Sequence, residues 1–431
     1  MAAATSIVLI IVLLMLEMPV AFAFGLGAIT LVLISGQDLT YLAPYAFSQV
    51  NVFALLALPL FTATGVLMQS SGIASRLINF FDLAVGRMRG GLGAVTVVVS
   101  AFFGAIAGSG SSAIAAIGSI MIPKLVARGY DRGEAVALVG CSSILSLLIP
   151  PSIPMIVFSI TAGISISAVF LSTVVPGLIL MSIYIVLNSM LTKRNVKIQQ
   201  AVKLRESLEA PRHIMTDAFP SLLLPVIVLG GIYSGSFTPT EAAAIAVIYT
   251  LFAGFLTKPD FSVNIAANSI SKGALAAGAI IIILFFMAVM NRAMILDQIP
   301  QSIASALIGV TENRFLILAV TNILLIVIGM LVDDVSGSVV AAVVLAPVMS
   351  EVGIHPVHFA AIVSVNLGLG NLTPPCAPLL YMAGQTGECQ FRHYVRPTLR
   401  LLLFGHVPVV VLVTYIPELA LTLPRLLLGI S

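Results

Sequence analysis

GSGSSAIAAIGSIMIP (Gly108–Pro123), continuing to LIPPSIP (Leu148–Pro154), has a partner in DDVSGSVVAAVVLAP (Asp333–Pro347), continuing to LTPPCAP (Leu372–Pro378). In both stretches 27 residues separate the hairpin-end proline from the first proline of the pair, Pro123 to Pro150 and Pro347 to Pro374. One offset of 224 residues carries Ser112 to Ser336, and Pro150, Pro151 and Pro154 to Pro374, Pro375 and Pro378. It also carries Gly163 to Gly387, Leu60-Phe61 to Leu284-Phe285 and Glu17 to Glu241. A gap-free offset over a whole half of the chain is an internal repeat.

Apolar residues make up 59% of the chain and charged residues 9%, against about 25% charged in a soluble domain. The chain therefore reads as an all-α polytopic membrane protein lying in the lipid bilayer. Cys141, Cys376 and Cys389 form no spaced pair, so no disulfide or metal framework follows. The net charge of +3 reflects loop placement and points to no nucleic-acid partner. The start, MAAATSIVLIIVLLMLEMPV, lacks a basic n-region and a clean cleavage site, and reads as a first span rather than a signal peptide.

Nine apolar runs are long enough to cross, at about 6–34, 51–70, 136–162, 168–191, 217–234, 239–257, 274–291, 359–384 and 400–422. Two others, about 92–122 and 316–347, carry small or polar residues at their centres. Irregular backbone at that depth is tolerated only where protein or water covers it, so both are expected to be re-entrant hairpins. Basic residues support this. Arg76, Arg87 and Arg89; Lys124, Arg128 and Arg132; the 193–212 loop; Lys258 and Lys272; and Arg392, Arg396 and Arg400 all fall on one side if both stretches are hairpins. The positive-inside rule makes that side the cytoplasm. Arg292 and Arg314 fall outside. Five crossings between Glu17 and Glu241 make the repeat inverted. Two broken helices complete the pattern of a secondary transporter with a midplane site. SRLINFFDLAVGRMRG (Ser75–Gly90) and QIPQSIASALIGV (Gln298–Val310) read as interfacial arms, or as ordinary loop helices.

Sodium, a hard cation, favours several oxygen ligands. The expected ligands are Gly108, Gly110, Ser112, Ser143, Ser146 and Pro150 in the first half, and Ser336, Gly337, Ser338, Gly368, Gly370, Thr373 and Pro374 in the second. Close packing by small residues is the plain alternative. The paired prolines free carbonyls near Ser146, Leu147, Gly370 and Asn371. Asp333 and Asp334 are carboxylates in an apolar run and are functional candidates by default: cation ligands, a proton relay or partners of substrate hydroxyls, unless they sit at a solvated mouth. Ser109, Ser111 and Arg292 complete the expected substrate set, Arg292 by pairing with a carboxylate or as an interface anchor. Glu17 and Glu241 read as structural. His213, His355, His358, His393 and His406 have no metal-ligand company and read as solvated.

At these motifs the chain resembles a known family. ARGYDRGEAVALVGCSSILSLLIPPSIPMIVF (Ala127–Phe158), GIHPVHFAAIVSVNLGLGNLTPPCAPLLYMAG (Gly353–Gly384) and GIYSGSFTPTEAAA (Gly231–Ala244) are similar to the large membrane (M) subunit of tripartite ATP-independent periplasmic (TRAP) transporters, the DctM-like family. The resemblance implies a bacterial inner-membrane, Na+-coupled importer of organic anions with an ion-transporter-like elevator fold. It implies two partners: a small four-helix, DctQ-like membrane subunit forming a heterodimer, and a periplasmic substrate-binding protein. Ala377-Pro378 and the arginine of MNRAMILD depart from the family pattern and point to a substrate subgroup, sialic acid first and C4-dicarboxylate second. The expected division is scaffold and first arm in 1–91, first transport half in 92–166, scaffold, inter-repeat loop and second arm in 167–315, second transport half in 316–390, and a C-terminal scaffold helix in 391–431. A stand-alone sodium/dicarboxylate symporter is the nearest rival. An intramembrane aspartyl protease, suggested by GMLVDD (Gly329–Asp334), lacks a second deep aspartate across a helix pair.

Overall fold

A computed structural model describes residues 2–430 apart from 17, 87–89, 192–210, 300, 303–304, 306–312 and 375. The described residues form helices joined by short turns. In chain order these are α1 (Ala2–Met15), α2 (Val20–Ser35), α3 (Leu39–Val50), α4 (Ala57–Ser70), α5 (Ile73–Val85) and α6 (Gly91–Ala107). After α7 (Gly110–Ala127) come α8 (Arg132–Ser143), α9 (Ile153–Ala162), α10 (Ile166–Leu191), α11 (Pro211–Tyr233), α12 (Pro239–Thr257) and α13 (Val263–Leu296). The second half ends with α14 (Arg314–Leu331), α15 (Asp334–Glu351), α16 (Pro356–Gly370), α17 (Pro378–Thr386), α18 (Phe391–Tyr415) and α19 (Glu418–Leu428).

The repeat is visible in the helix ends. The 224-residue offset takes Gly110–Ala127 onto Asp334–Glu351, and brings α6 and α10 within one residue of α14 and α18. The halves differ at one joint. α3 and α4 are separated by a short 3-10 turn at Phe53–Leu56, whereas their counterpart α13 runs unbroken for 34 residues. α13 lies antiparallel to both: Arg292 meets Tyr45, Gly273 meets Ala63, and Ser269 Oγ meets Ser70 Oγ at 2.9 Å.

Both expected hairpins turn back on themselves. Asn188, near the end of α10, donates to the Gly90 carbonyl at 2.8 Å and accepts from Tyr130 Oη at 3.4 Å. The start of α6 and the exit from α7 therefore share one level. In the second half, Tyr415 Oη donates to the Phe315 carbonyl at 3.1 Å, and His358 Nε2 bonds the Val413 carbonyl at 2.8 Å. The start of α14 and the residues after α15 thus meet at the end of α18. The two bases lie on opposite faces, because α10 links them: its start packs Ala168 against Val357 and Leu421, and its 26 residues extend about 39 Å.

The basic clusters join up on the face of the first base. Lys124 reaches Asn79, Arg128 faces Asp82 at 3.9 Å, Lys258 Nζ donates to the Ser70 carbonyl, Arg76 donates to the Thr257 carbonyl, and Arg132 donates to the Gly387 carbonyl. That face is the cytoplasmic one by the positive-inside rule. The 192–210 loop, and with it most of the third cluster, lies outside the described residues.

Two expectations are corrected. The first apolar run, 6–34, is not one span but two antiparallel helices: Ser6 Oγ donates to the Gly27 carbonyl at 2.7 Å, whereas 21 residues of continuous helix would separate them by about 31 Å. Pro19, which lacks an N–H, marks the turn. Glu17 lies outside the described residues. The last run, 400–422, is divided: α18 begins earlier and ends at Tyr415, and α19 turns back onto α10 and α16. α10 and α18 pack on the hairpins and broken helices: Tyr184 Oη meets His406 Nδ1 at 3.3 Å, Gly177 lies against Ile149, and Gly133 lies against the His393 carbonyl. The remaining helices, α1–α4 and α11–α13, pack on one another. The first arm is α5, wedged between α6 and α11 with Leu77, Ile78 and Phe81 inward. The second arm lies mostly outside the described residues.

The hairpin geometry fixes a labelling pattern. In a background lacking Cys376 and Cys389, Arg314→Cys and Ser350→Cys react with an impermeant thiol reagent from one face of oriented vesicles, and Lys124→Cys from the other. Arg314→Cys and Ser350→Cys labelling from opposite faces would make the stretch a single crossing and not a hairpin.

Candidate functional site

Each hairpin tip is seated in a helix break of its own repeat. Pro150 offers no N–H to the Ser146 carbonyl, and Pro151 none to Leu147. The chain leaves α8 after the turn Leu145–Leu148 and resumes at α9. Into that gap comes the end of α6. Gly108 has φ +62°, and the Ile153 N–H donates to its carbonyl at 3.0 Å. A Cβ on Gly108 would stand 2.6 Å from the Pro151 carbonyl oxygen, and one on Gly104 would stand 2.2 Å from Ser146 Cα. Glycine is required at both for the backbones to meet. The orphaned Leu147 carbonyl faces the Ser364 hydroxyl of α16 at 3.4 Å, which links the two broken helices.

The second tip follows the same plan with different chemistry. Gly329 lies against Gly370 and the Leu367 carbonyl, where a Cβ would come within 2.9 Å. The break is satisfied by the chain itself: Thr373 N–H donates to the Gly370 carbonyl at 2.9 Å, and Leu379 N–H to the Asn371 carbonyl at 3.2 Å. Ala377 takes φ +38° at the turn into α17.

The N-termini of the two inner hairpin legs differ. Asp333 caps α15. Its Oδ2 accepts from the Val335 and Ser336 N–H groups at 3.1 and 3.3 Å, and its Oδ1 from the Ser336 hydroxyl at 2.5 Å. Asp334 accepts from Val335 N–H at 3.1 Å. At the equivalent end of α7, Ser109 makes no side-chain cap and its hydroxyl pairs with Ser111 at 2.9 Å. The first-turn N–H groups of α7 thus remain open to an anion, while the same groups of α15 are held by a carboxylate.

Four of the candidate ligand hydroxyls share one polarity. Ser143 donates to the Gly140 carbonyl, Ser146 to Ser143, Ser338 to Val335 and Thr373 to Leu369, at 2.5–2.7 Å. A hydroxyl whose proton is committed to a carbonyl presents only lone pairs, which suits a cation. Gly110 brings α7 against Leu379 of α17, and Ser112 and Pro374 are half-buried nearby in sequence to their tips. Gly337 and Gly368 are close-packing positions, against Leu367 and against Ile144 and His406. Arg292 stands on α13, its guanidinium over the Tyr45 ring at 5.4 Å.

Other buried oxygens went unremarked in the sequence. Ser142 Oγ, Ser152 Oγ, Asn366 Oδ1 and Asn371 Oδ1 are buried without a hydrogen-bond partner among the described residues. Ser142 and Asn366 are repeat equivalents. Asn371 and Ser152 flank the two proline pairs, which was the available signal. Two histidines expected at the surface are buried instead: His358 at 1% exposure, and His406 at 0% with Nε2 on the Val365 carbonyl at 2.9 Å. A carbonyl from a neighbouring helix satisfies each ring, so neither needs water. Glu241 forms a capping box with Thr238, the structural role expected of it.

The two inner seams are unequally covered. Ile153–Ser159 of α9 is buried against α15, and Val335–Val339 is buried in turn. On the cytoplasmic side, where α7 faces α17, Ser111, Pro378 and Tyr381 are exposed.

The family model described as the DctM component of the tripartite ATP-independent periplasmic transporter matches residues 7–419. The C4-dicarboxylate TRAP transporter large permease protein DctM of Pseudomonas aeruginosa is 35% identical over 93% of this chain and 92% of its own length. The sialic acid TRAP transporter large permease protein SiaM of Vibrio cholerae is 33% identical with the same coverage, 93% and 92%. The isethionate TRAP transporter permease protein DctMQ of Oleidesulfovibrio alaskensis is 33% identical over 92% of this chain, which spans 62% of that longer protein. Among solved structures, the Alcanivorax borkumensis YdaH transporter superposes with a TM-score of 0.63 at 15% identity, covering 87% of this chain and 88% of that one. Neisseria gonorrhoeae MtrF gives 0.57 at 14%, covering 86% and 83%. At such identities the likeness is one of fold.

The cap at Asp333 has a measurable weight. Asp333→Ala leaves the first-turn N–H groups of α15 unmatched and destabilises the protein by about 1 kcal/mol, while Asp333→Asn, which keeps an acceptor, loses less. Apparent melting in detergent reads the difference; equal melting of the two variants would remove the capping role.

Proposed function

The chain belongs to the DctM-component family of tripartite ATP-independent periplasmic transporters, and from that membership we propose that it is the membrane subunit that moves an organic anion inward, driven by sodium. The protein is a multi-pass transport permease. The reading places it in the bacterial inner membrane beside a small DctQ-like subunit, receiving substrate from a periplasmic binding protein. The observation that carries the sodium site is that each tip lies against a proline break, with hydroxyl oxygens near it whose protons are committed to carbonyls.

In this reading one Na+ sits at each tip. The first is held by carbonyls and hydroxyls from Gly108, Gly110, Ser112, Ser143, Ser146 and the break at Pro150. The second is held from Ser336, Ser338, Gly370, Thr373 and the break at Pro374. Gly337 and Gly368 set the helix spacing there. The anionic end of the substrate meets the uncapped start of α7, with Ser109 and Ser111. Asp333 and Asp334 face the opposite chemistry, substrate hydroxyls or a cation. Arg292 enters the substrate path only if it leaves Tyr45. Sialic acid is the first candidate substrate and a C4-dicarboxylate the second; curated relatives whose names specify each are of nearly equal identity, so the anion chemistry is what they support in common.

The packing of α6–α10 and α14–α18 as one body, apart from α1–α4 and α11–α13, supports elevator-type movement. The body carrying both tips would slide along α4, where Gly65 approaches Ala107 closely. This enlarges the moving part beyond 92–166 and 316–390 by adding α10 and α18.

The test is uptake of labelled sialic acid and of succinate into proteoliposomes holding this chain and its small partner, under an inward sodium gradient, with and without the binding protein. Uptake that requires both sodium and the binding protein supports the tripartite reading and selects the substrate. Sodium-driven uptake without the binding protein moves the chain to the stand-alone symporters. Asp334→Ala abolishes uptake at normal membrane levels, and Ser112→Ala and Ser336→Ala each shift the sodium titration to higher concentration. Unchanged titrations in both serine variants would displace sodium from the tips.

A further inference from the structure

At the cytoplasmic face, away from both tips, α8, α10 and α18 enclose a cavity of about 140 Å³. Its rim carries two opposite charges, Glu134 from the first turn of α8 and Arg400 from α18. They do not pair with each other, and among the described residues neither has an ion-pair partner. Tyr130 and Asn188, already bonded to each other, form the polar wall, and Leu138 and Leu191 the apolar one. Leu191 is 47% exposed on the outside of the bundle.

Its level is that of lipid headgroups. Tyr130 leaves the base of the first hairpin beside Arg128 and Arg132, where aromatic and basic residues anchor the interface. A ligand suited to these walls carries a cation and an anion in one compact unit joined to an apolar body. Glu134 is an acceptor that rewards a hydrogen-bonding ammonium. A quaternary ammonium would instead call for an aromatic cage, and the cavity holds one tyrosine.

We propose that this cavity seats the headgroup of a phosphatidylethanolamine-type lipid of the cytoplasmic leaflet, with its ammonium on Glu134, its phosphate on Arg400 and its acyl chains over Leu191. The lipid bridges three helices of the body that carries the tips.

Native mass spectrometry of the purified full-length chain tests it, with phosphatidylethanolamine, phosphatidylcholine or phosphatidylglycerol added in detergent. Wild type retains phosphatidylethanolamine about 10-fold better than phosphatidylcholine, the effect of one charge-assisted bond. Glu134→Gln removes that preference and leaves phosphatidylglycerol retention unchanged. Glu134→Asp keeps part of it, which separates recognition from folding, and Arg400→Gln weakens all three lipids. Equal retention of the ethanolamine and choline lipids by wild type, or a preference that survives Glu134→Gln, overturns the proposal. Thermal stabilisation by free phosphoethanolamine equal to that by the lipid would assign the cavity to a soluble aminophosphate and overturn the lipid.

Discussion

Backbone polar groups in hydrocarbon must find partners within the protein, and the architecture follows from how two proline pairs are allowed to violate helix geometry under that constraint. Each pair removes N–H groups from a helix deep in the bundle. The first break is filled by a hairpin tip, through the Ile153 N–H on the Gly108 carbonyl and the Ser364 hydroxyl on Leu147. The second is closed by its own turn, through Thr373 and Leu379. Gly104, Gly108, Gly329 and Gly370 stand where they do because side chains there would hold tip and break apart.

The repeat is symmetric in its helix ends and asymmetric in its chemistry. Asp333 caps one inner leg, and the equivalent Ser109 leaves the other uncapped. The seam of α9 with α15 is buried while that of α7 with α17 has exposed residues. Two near-equivalent scaffolds thus present an acceptor-rich end and a donor-rich end within one bundle, a division suited to handling a cation and an anion together.

Much of this was legible in the chain, and the exceptions share a cause. GSGSS and DDVSGS were readable as tips because polar residues interrupt apolar runs, and the proline pairs as breaks because proline lacks a donor. The α1–α2 turn was hidden because a mostly apolar run of 29 residues fits one tilted span as well as two short helices, with Glu17 and Pro19 as the cues to a turn. The packing partners of α10 and α18 are not marked in the sequence, because a helix in lipid is apolar all round and its pattern does not show which face meets protein. His358 and His406 were misjudged because a carbonyl of another helix, invisible in sequence, satisfies each ring.

The unbroken α13 has a consequence for the membrane itself. Its 34 residues reach about 51 Å, well beyond a hydrocarbon core of about 30 Å. The stretch Gly273–Met290, free of charge and of asparagine, extends about 27 Å and matches that core. The remainder is overhang, roughly 15 Å on the cytoplasmic side and 9 Å on the other. These ends, with Lys272 at one and Asn291-Arg292 at the other, stand as rigid posts in the headgroup layers. They fix the thickness of bilayer that this half of the molecule tolerates, and a thinner membrane would have to be met by tilting α13 together with the α3–α4 pair packed along it.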